Sequence, residues 1–117
     1  MTYEEALELV KSEFELRKDA DHCHIIKTGL TYDGCQGFCV AVYRKTDGSV
    51  VLTDMGETKE VFDEVTEDEW KQMCESHGFE FNHWRIEHSL DTMEDVYNYI
   101  NFIDWISDKF FMLDDED

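Results

Sequence analysis

The apolar residues of this chain change period along its length, and no other feature constrains the fold as much. Tyr3, Ala6, Leu7, Val10 and Phe14 recur three or four residues apart, which places them on one face of an α-helix. Thr2 and Glu5 form a capping box ahead of that helix, and Glu4, Glu8 and Glu15 fall away from its stripe. After Asp21 the pattern is that of strands. Residues 24–28 and 38–43 are short runs rich in β-branched and aromatic side chains. Asp47-Gly48 tolerates the positive φ of a tight hairpin, and residues 50–53 return as a third strand. Together these runs predict an antiparallel three-stranded meander.

Helical spacing then resumes. Residues 57–64 predict a short helix. A second begins at Thr66, with Glu69 completing a capping box and Val65 stapling onto Trp70, and Gly78 ends it. Residues 79–81 and 84–87 read as two short strands about Asn82-His83. Asp91 with Glu94 caps a closing helix that carries Met93, Val96, Tyr97, Ile100, Ile103 and Phe110. The fold class is therefore α+β. No proline, linker or internal repeat divides the chain, so residues 1–113 read as one acidic domain and 114–117 as a disordered acidic tail. Eight Phe, five Tyr and three Trp in 117 residues suffice for one core. Trp70, Trp84 and Trp105 each lie on an otherwise apolar face and read as core anchors.

The N-terminal residues lack the basic and apolar regions of a signal peptide, and no apolar run approaches the ~18 residues that span a bilayer. A cytoplasmic protein is expected, with Cys23, Cys35, Cys39 and Cys74 as reduced thiols, folding without metal as a monomer or homodimer. His22, Cys23, His24, Cys35 and Cys39 are ligand types that zinc prefers. Their spacing fits paired knuckles only loosely, and Cys23 and Cys39 sit in apolar strand patterns where buried thiols are common. Asp33 with Glu57-Thr58-Lys59 has the residue types of a metal-dependent nuclease. However, this Glu-x-Lys follows Met55-Gly56 into an acidic helix rather than closing an apolar strand. The chain has no phosphate-binding glycine loop, nucleophile elbow or His-Glu-x-x-His. His77, His83 and His88 have no metal spacing. Neither catalysis nor a cofactor is expected.

Charge is the strong functional signal. Asp and Glu number 29 against 10 Lys and Arg, a net charge of -19. Such a balance repels nucleic acid and anionic membrane and attracts basic surfaces. It is uneven: residues 1–56 hold ten acids and six bases, residues 57–117 nineteen acids and four bases. Glu57, Glu60, Asp63, Glu64, Glu67, Asp68 and Glu69 form a dense run, and Glu94, Asp95, Asp104 and Asp108 add charge along the closing helix. Carboxylates three or four residues apart on a helix stand ~5–6 Å from one another, within a few-fold of the charge density of duplex DNA. These eleven residues are the candidate partner-binding set.

Ile25-Ile26-Lys27-Thr28, Tyr32-Asp33, Phe38-Cys39-Val40-Ala41-Val42 and Leu52-Thr53-Asp54-Met55-Gly56-Glu57-Thr58 follow one another after the opening helix. In that order the chain resembles a bacterial and phage family known as domain of unknown function eighteen twenty-eight, whose signature is Leu-Thr-Asp-x-Gly. His77-Gly78-Phe79-Glu80-Phe81 and the closing helix extend the likeness over residues 2–107, while Thr28-Gly29-Leu30 departs from the family's Thr-Pro-Phe. The resemblance implies no catalytic residues and a phage or mobile-element setting. Taken with the acidic surface and the absence of a catalytic signature, that setting leads to the expectation of an inhibitor of a bacterial nucleic-acid-directed defence enzyme, a CRISPR effector or restriction enzyme, by nucleic-acid mimicry in the host cytoplasm. The alternatives are an acidic module that binds protein through an apolar patch, and a metal-dependent hydrolase built on Asp33, Asp54 or Glu57.

Overall fold

In a computed structural model the chain is an α+β fold, and among the described residues all the strands join one sheet. The structure describes residues 1–32 and 37–115, with side chains described as far as Phe110. The elements in chain order are α1 (Tyr3–Lys11), β1 (Glu15–Ala20), β2 (Cys23–Lys27), β3 (Ala41–Arg44), β4 (Val50–Thr53), α2 (Glu57–Val61), α3 (Glu67–Ser76), β5 (Glu80–Asn82), β6 (Arg85–Ser89) and α4 (Met93–Asp115). The sheet runs β1-β2-β3-β4-β6-β5 and is antiparallel throughout.

The expected meander is β2-β3-β4, but it is the middle of a six-stranded sheet rather than a sheet of its own. On one side β1 is added, in register Leu16↔Ile26 and Arg17↔Ile25. Its sequence, Glu-Leu-Arg-Lys-Asp-Ala, carries no apolar alternation because an edge strand turns most of its side chains to water. The opening helix consequently stops at Lys11 instead of reaching Phe14. Ser12 caps it, and the Ser12 hydroxyl donates to the Leu9 carbonyl at 2.6 Å. On the other side β6 pairs with β4 through Leu52↔His88, bringing the second strand pair into the same sheet. Phe38-Cys39-Val40 precedes β3 rather than belonging to it, although the Val40 carbonyl accepts the Ile26 N–H at 2.7 Å.

The helix caps differ in detail. Thr2 and Glu5 make both bonds of a capping box. The Thr66 hydroxyl accepts the Glu69 N–H at 3.2 Å, but among the described residues the Glu69 side chain makes no return bond and stays in solvent. The cap of α4 lies one residue later than expected: the Asp95 carboxylate accepts the N–H groups of Asp91 at 2.9 Å and Thr92 at 3.0 Å. This helix continues to Asp115, two residues into the stretch expected to be a tail; residues 116–117 lie outside the described residues.

One face of the sheet packs Ile26, Val42, Leu52, Phe81 and Ile86 against Val10 of α1, Trp70 of α3 and Val96, Tyr99 and Ile103 of α4. Only Trp70 of the three tryptophans is a core residue, with no exposed surface. Trp84 and Trp105 are 37% and 40% exposed, and Tyr97 also faces solvent. Trp84 forms with His83 the two-residue turn between β5 and β6, both at positive φ (65° and 52°), so the tip of that hairpin projects an aromatic ring.

Candidate functional site

Leu52-Thr53-Asp54-Met55-Gly56 leaves the sheet through a turn built on one carboxylate. Asp54 is fully buried, and its Oδ1 accepts the N–H groups of Gly56 and Ile86, both at 3.0 Å, while Oδ2 accepts that of Thr58 at 3.2 Å. Burial pushes the carboxyl up, and the N–H of Gly56, the Thr58 hydroxyl and the remaining N–H groups counter this only in part. Gly56 adopts φ 80°, and a Cβ there would lie 3.4 Å from the Trp84 carbonyl oxygen, so this turn and the hairpin tip pack closely. The Thr58 hydroxyl meets the Tyr32 hydroxyl at 2.9 Å, and the Lys59 ammonium lies 4.8 Å from the centre of the Trp84 ring. The nuclease-like residues therefore serve different ends. Asp54 joins β4, α2 and β6, Lys59 lies on an aromatic face, and Glu57 begins α2 half-buried. Asp33 lies outside the described residues.

Cys23 and Cys74 are buried and Cys39 is half-buried, all three as free thiols. Burial, assisted by the charges of Glu57 and Asp54, pushes the Cys39 thiol up to about 12. Burial likewise raises Cys74 to about 12. Among the described residues no three His, Cys, Asp or Glu side chains are grouped to hold a metal ion; Cys35 lies outside them. Among the described residues no helix is long and apolar enough to cross a membrane.

Seven of the eleven candidate carboxylates stand in the first turns of helices: Glu57 and Glu60 of α2, Glu67, Asp68 and Glu69 of α3, and Glu94 and Asp95 of α4. There the helix dipole favours them by roughly 0.3–1 kcal/mol each, which lets the fold hold them without cations. Indeed, among the described residues only Asp95 of the eleven stands within ion-pair distance of a basic side chain, the His88 ring at 3.3 Å. Burial alone would raise the Asp95 carboxyl; its bonds from the Asp91 and Thr92 N–H groups and from His88 outweigh that and hold it below the usual value. Asp95 thus serves its own helix. The others, apart from half-buried Glu57, are exposed.

The set is not one uniform patch. Asp63, Glu64 and Glu69 surround a depression of about 330 Å³ floored by Val61, Phe62, Val65 and Phe110. Glu60, Glu67 and Asp68 are exposed in the same run. At 100° per residue, Asp104 and Asp108 leave α4 on the flank that carries Tyr97, around the helix from Phe102 and Lys109. Glu94 is fourteen residues from Asp108, or ~20 Å along the axis.

Beside the acidic run lies an aromatic surface that the residue patterns did not assign to the site. The depression at Asp63 shares Val65, Glu69 and Phe110 with a second of about 510 Å³ between α3 and α4. That one shares His77 and Trp105 with a third of about 360 Å³, which reaches Phe79 and His88. The rings are ordered: Phe79 stacks on Phe102 with centroids 4.4 Å apart, Phe102 on Trp105 at 6.0 Å, and His77 lies 4.5 Å from Trp105. The signal in the sequence was Trp105 itself, which on the helical wheel of α4 falls among Glu94, Asn98, Asn101 and Lys109 rather than with the apolar stripe. Compared with known proteins, no family model, no curated protein and no solved structure matches this chain.

Proposed function

We propose that the protein is a non-catalytic inhibitor whose acidic face enters the basic, nucleic-acid-binding groove of a bacterial defence enzyme such as a CRISPR effector or restriction enzyme. One observation carries this reading. Glu60, Asp63, Glu64, Glu67, Asp68 and Glu69 put six exposed carboxylates within ten residues, and among the described residues none has a cationic partner. Unpaired carboxylates at this density repel one another, and a row of Lys and Arg shaped for phosphates relieves that repulsion. The helix dipoles help the fold tolerate Glu60, Glu67, Asp68 and Glu69, but they do not explain why residues 60–69 hold no lysine or arginine. The phage or mobile-element setting rests on the resemblance to the Leu-Thr-Asp-x-Gly family.

The test is reversal of Glu60, Asp63, Glu64 and Asp68 to Lys, compared with reversal of Glu4 and Glu8 on α1, in binding to an enzyme captured from cells that carry a defence system. The first set is expected to slow association about tenfold or more at low salt, the second to leave it nearly unchanged, and nucleic acid to compete with the native protein. Equal effects of the two sets, or a complex indifferent to salt, would refute the reading. The exposed aromatic surface around Trp105 favours a second reading, a protein-binding module that uses an apolar patch beside its charge.

A further inference from the structure

We propose that the trough between α3 and α4 is a docking site for a basic amphipathic helix of a partner protein. The inference rests on the preceding reading only for the sign of the partner's charge. The three depressions share residues in sequence and so form one trough. It runs along α4 from Asn98 to Phe110, twelve residues or ~18 Å, which matches a helix of about twelve residues. The two helices meet across it through rings, Trp70 on Phe110 at 5.7 Å and His77 on Trp105 at 4.5 Å, which leaves a concave surface with an aromatic floor. Stacking of Phe79, Phe102 and Trp105 fixes that floor in advance, so an incoming side chain orders little that is not already ordered.

The ends of the trough differ, and this selects the occupant. Asp63, Glu64 and Glu69 rim the end near the α2–α3 turn, Lys109 lies against Trp105 in the middle, and Phe79, Phe102, Asn98 and Asn101 line the other end, so the partner's cations belong at the carboxylate rim alone. A helix with Lys or Arg toward one end and an apolar i, i+3, i+4, i+7 stripe meets both requirements. Charge argues against the other occupants. A second copy brings a net charge of -19, the chain's own C-terminal residues 114–117 are all acidic, and an anionic membrane surface is repelled.

A synthetic fourteen-residue peptide with leucines in that stripe and lysines concentrated toward one end serves as the probe, carrying a fluorophore for anisotropy. Two control peptides accompany it: one of the same composition with the leucines spread around the helix, and one with Glu in place of Lys. The amphipathic basic peptide is expected to bind at least tenfold more tightly than either control. Trp105→Ala, at an exposed position, and Ser76→Trp, which fills the trough from the exposed surface of α3, are each expected to weaken it tenfold or more. Equal binding of the native and rearranged peptides, or unchanged binding by both variants, would overturn the proposal and leave bulk charge as the cause. If the variants behave as expected while the four-carboxylate reversal leaves capture of a defence enzyme intact, the trough stands and the groove-mimic reading falls. Should the reversal abolish capture while both trough variants bind peptide normally, the conclusion is the opposite.

Discussion

Replacing Asp54 with Ala removes the shared acceptor of three backbone N–H groups and leaves the sheet and the turn without their common anchor. The N–H groups of Thr58 and Ile86 bond to it in buried surroundings; that of Gly56 is partly accessible and can recover a bond to water. An orphaned buried donor costs about 1–3 kcal/mol, so two such groups with a smaller share for Gly56 give a loss of about 3–5 kcal/mol. With a urea dependence of ~1–2 kcal/mol/M, the unfolding midpoint falls by about 2 M or more. The assay is urea unfolding followed by far-ultraviolet circular dichroism, with the fluorescence of Trp70, Trp84 and Trp105 together as a second probe. Asp54 also sets a pH trend. Its carboxyl is raised in the folded chain from an ordinary value of 3.8, so its favourable contribution is complete below about pH 4 and is lost as pH rises through the raised value. The margin of the native protein over Asp54→Ala is therefore expected to be widest near pH 4 and to narrow toward alkaline pH. A loss below ~1 kcal/mol at every pH would refute the reasoning, because it would mean that the three N–H groups find water or other partners without the carboxylate.

Asp95 is expected to show the opposite pH trend. Its carboxyl is held below 3.8, so the ~0.5–2 kcal/mol lost in Asp95→Ala is present at neutral pH and disappears as pH falls through that lowered value, measured as the difference in unfolding midpoints at pH 7 and in strong acid. Cys74, fully buried with its thiol raised to about 12, is expected to resist alkylation by iodoacetamide in the native protein and to react at once in denaturant; mass spectrometry of the modified peptide decides the point, and rapid native labelling at Cys74 would contradict the packing of α3.

How far these features could be read in advance depended on whether a residue's role is local. The helix start at Thr2, the Asp47-Gly48 turn and the strand-exit turn at Asp54-Met55-Gly56 are set by side chains acting on backbone within a few residues, and all three were legible. The bond from the Ile86 N–H to Asp54 crosses 32 residues and has no local trace. Nor has β1, whose single core-facing Leu16 gives no alternation, so that its place is decided by the free edge of β2. Trp84 illustrates a conflict between levels. The sequence places the turn at Asn82-His83 and starts the strand at Trp84, whereas the two-residue connection requires positive φ at both central positions and gives the turn to His83 and Trp84 despite their bulk. For the candidate site, the acidic run was plain in the sequence, but its division between a trough rim, the far flank of α4 and a helix cap depended on tertiary placement.

The charged edge strand β1 also bears on how copies of the molecule meet. Two β1 strands paired antiparallel about a twofold axis at Arg17 would place that guanidinium against its own copy and Glu15 against Asp19; centring the axis between Arg17 and Lys18 sets those two cations face to face. Either register sets like charges together, and moving the pairing farther along the strand shortens the ladder it can form. At the opposite margin of the sheet β5 is only three residues long. Both margins thus discourage edge-to-edge growth, so an aromatic-rich sheet protein can be concentrated without its strands serving as templates for one another.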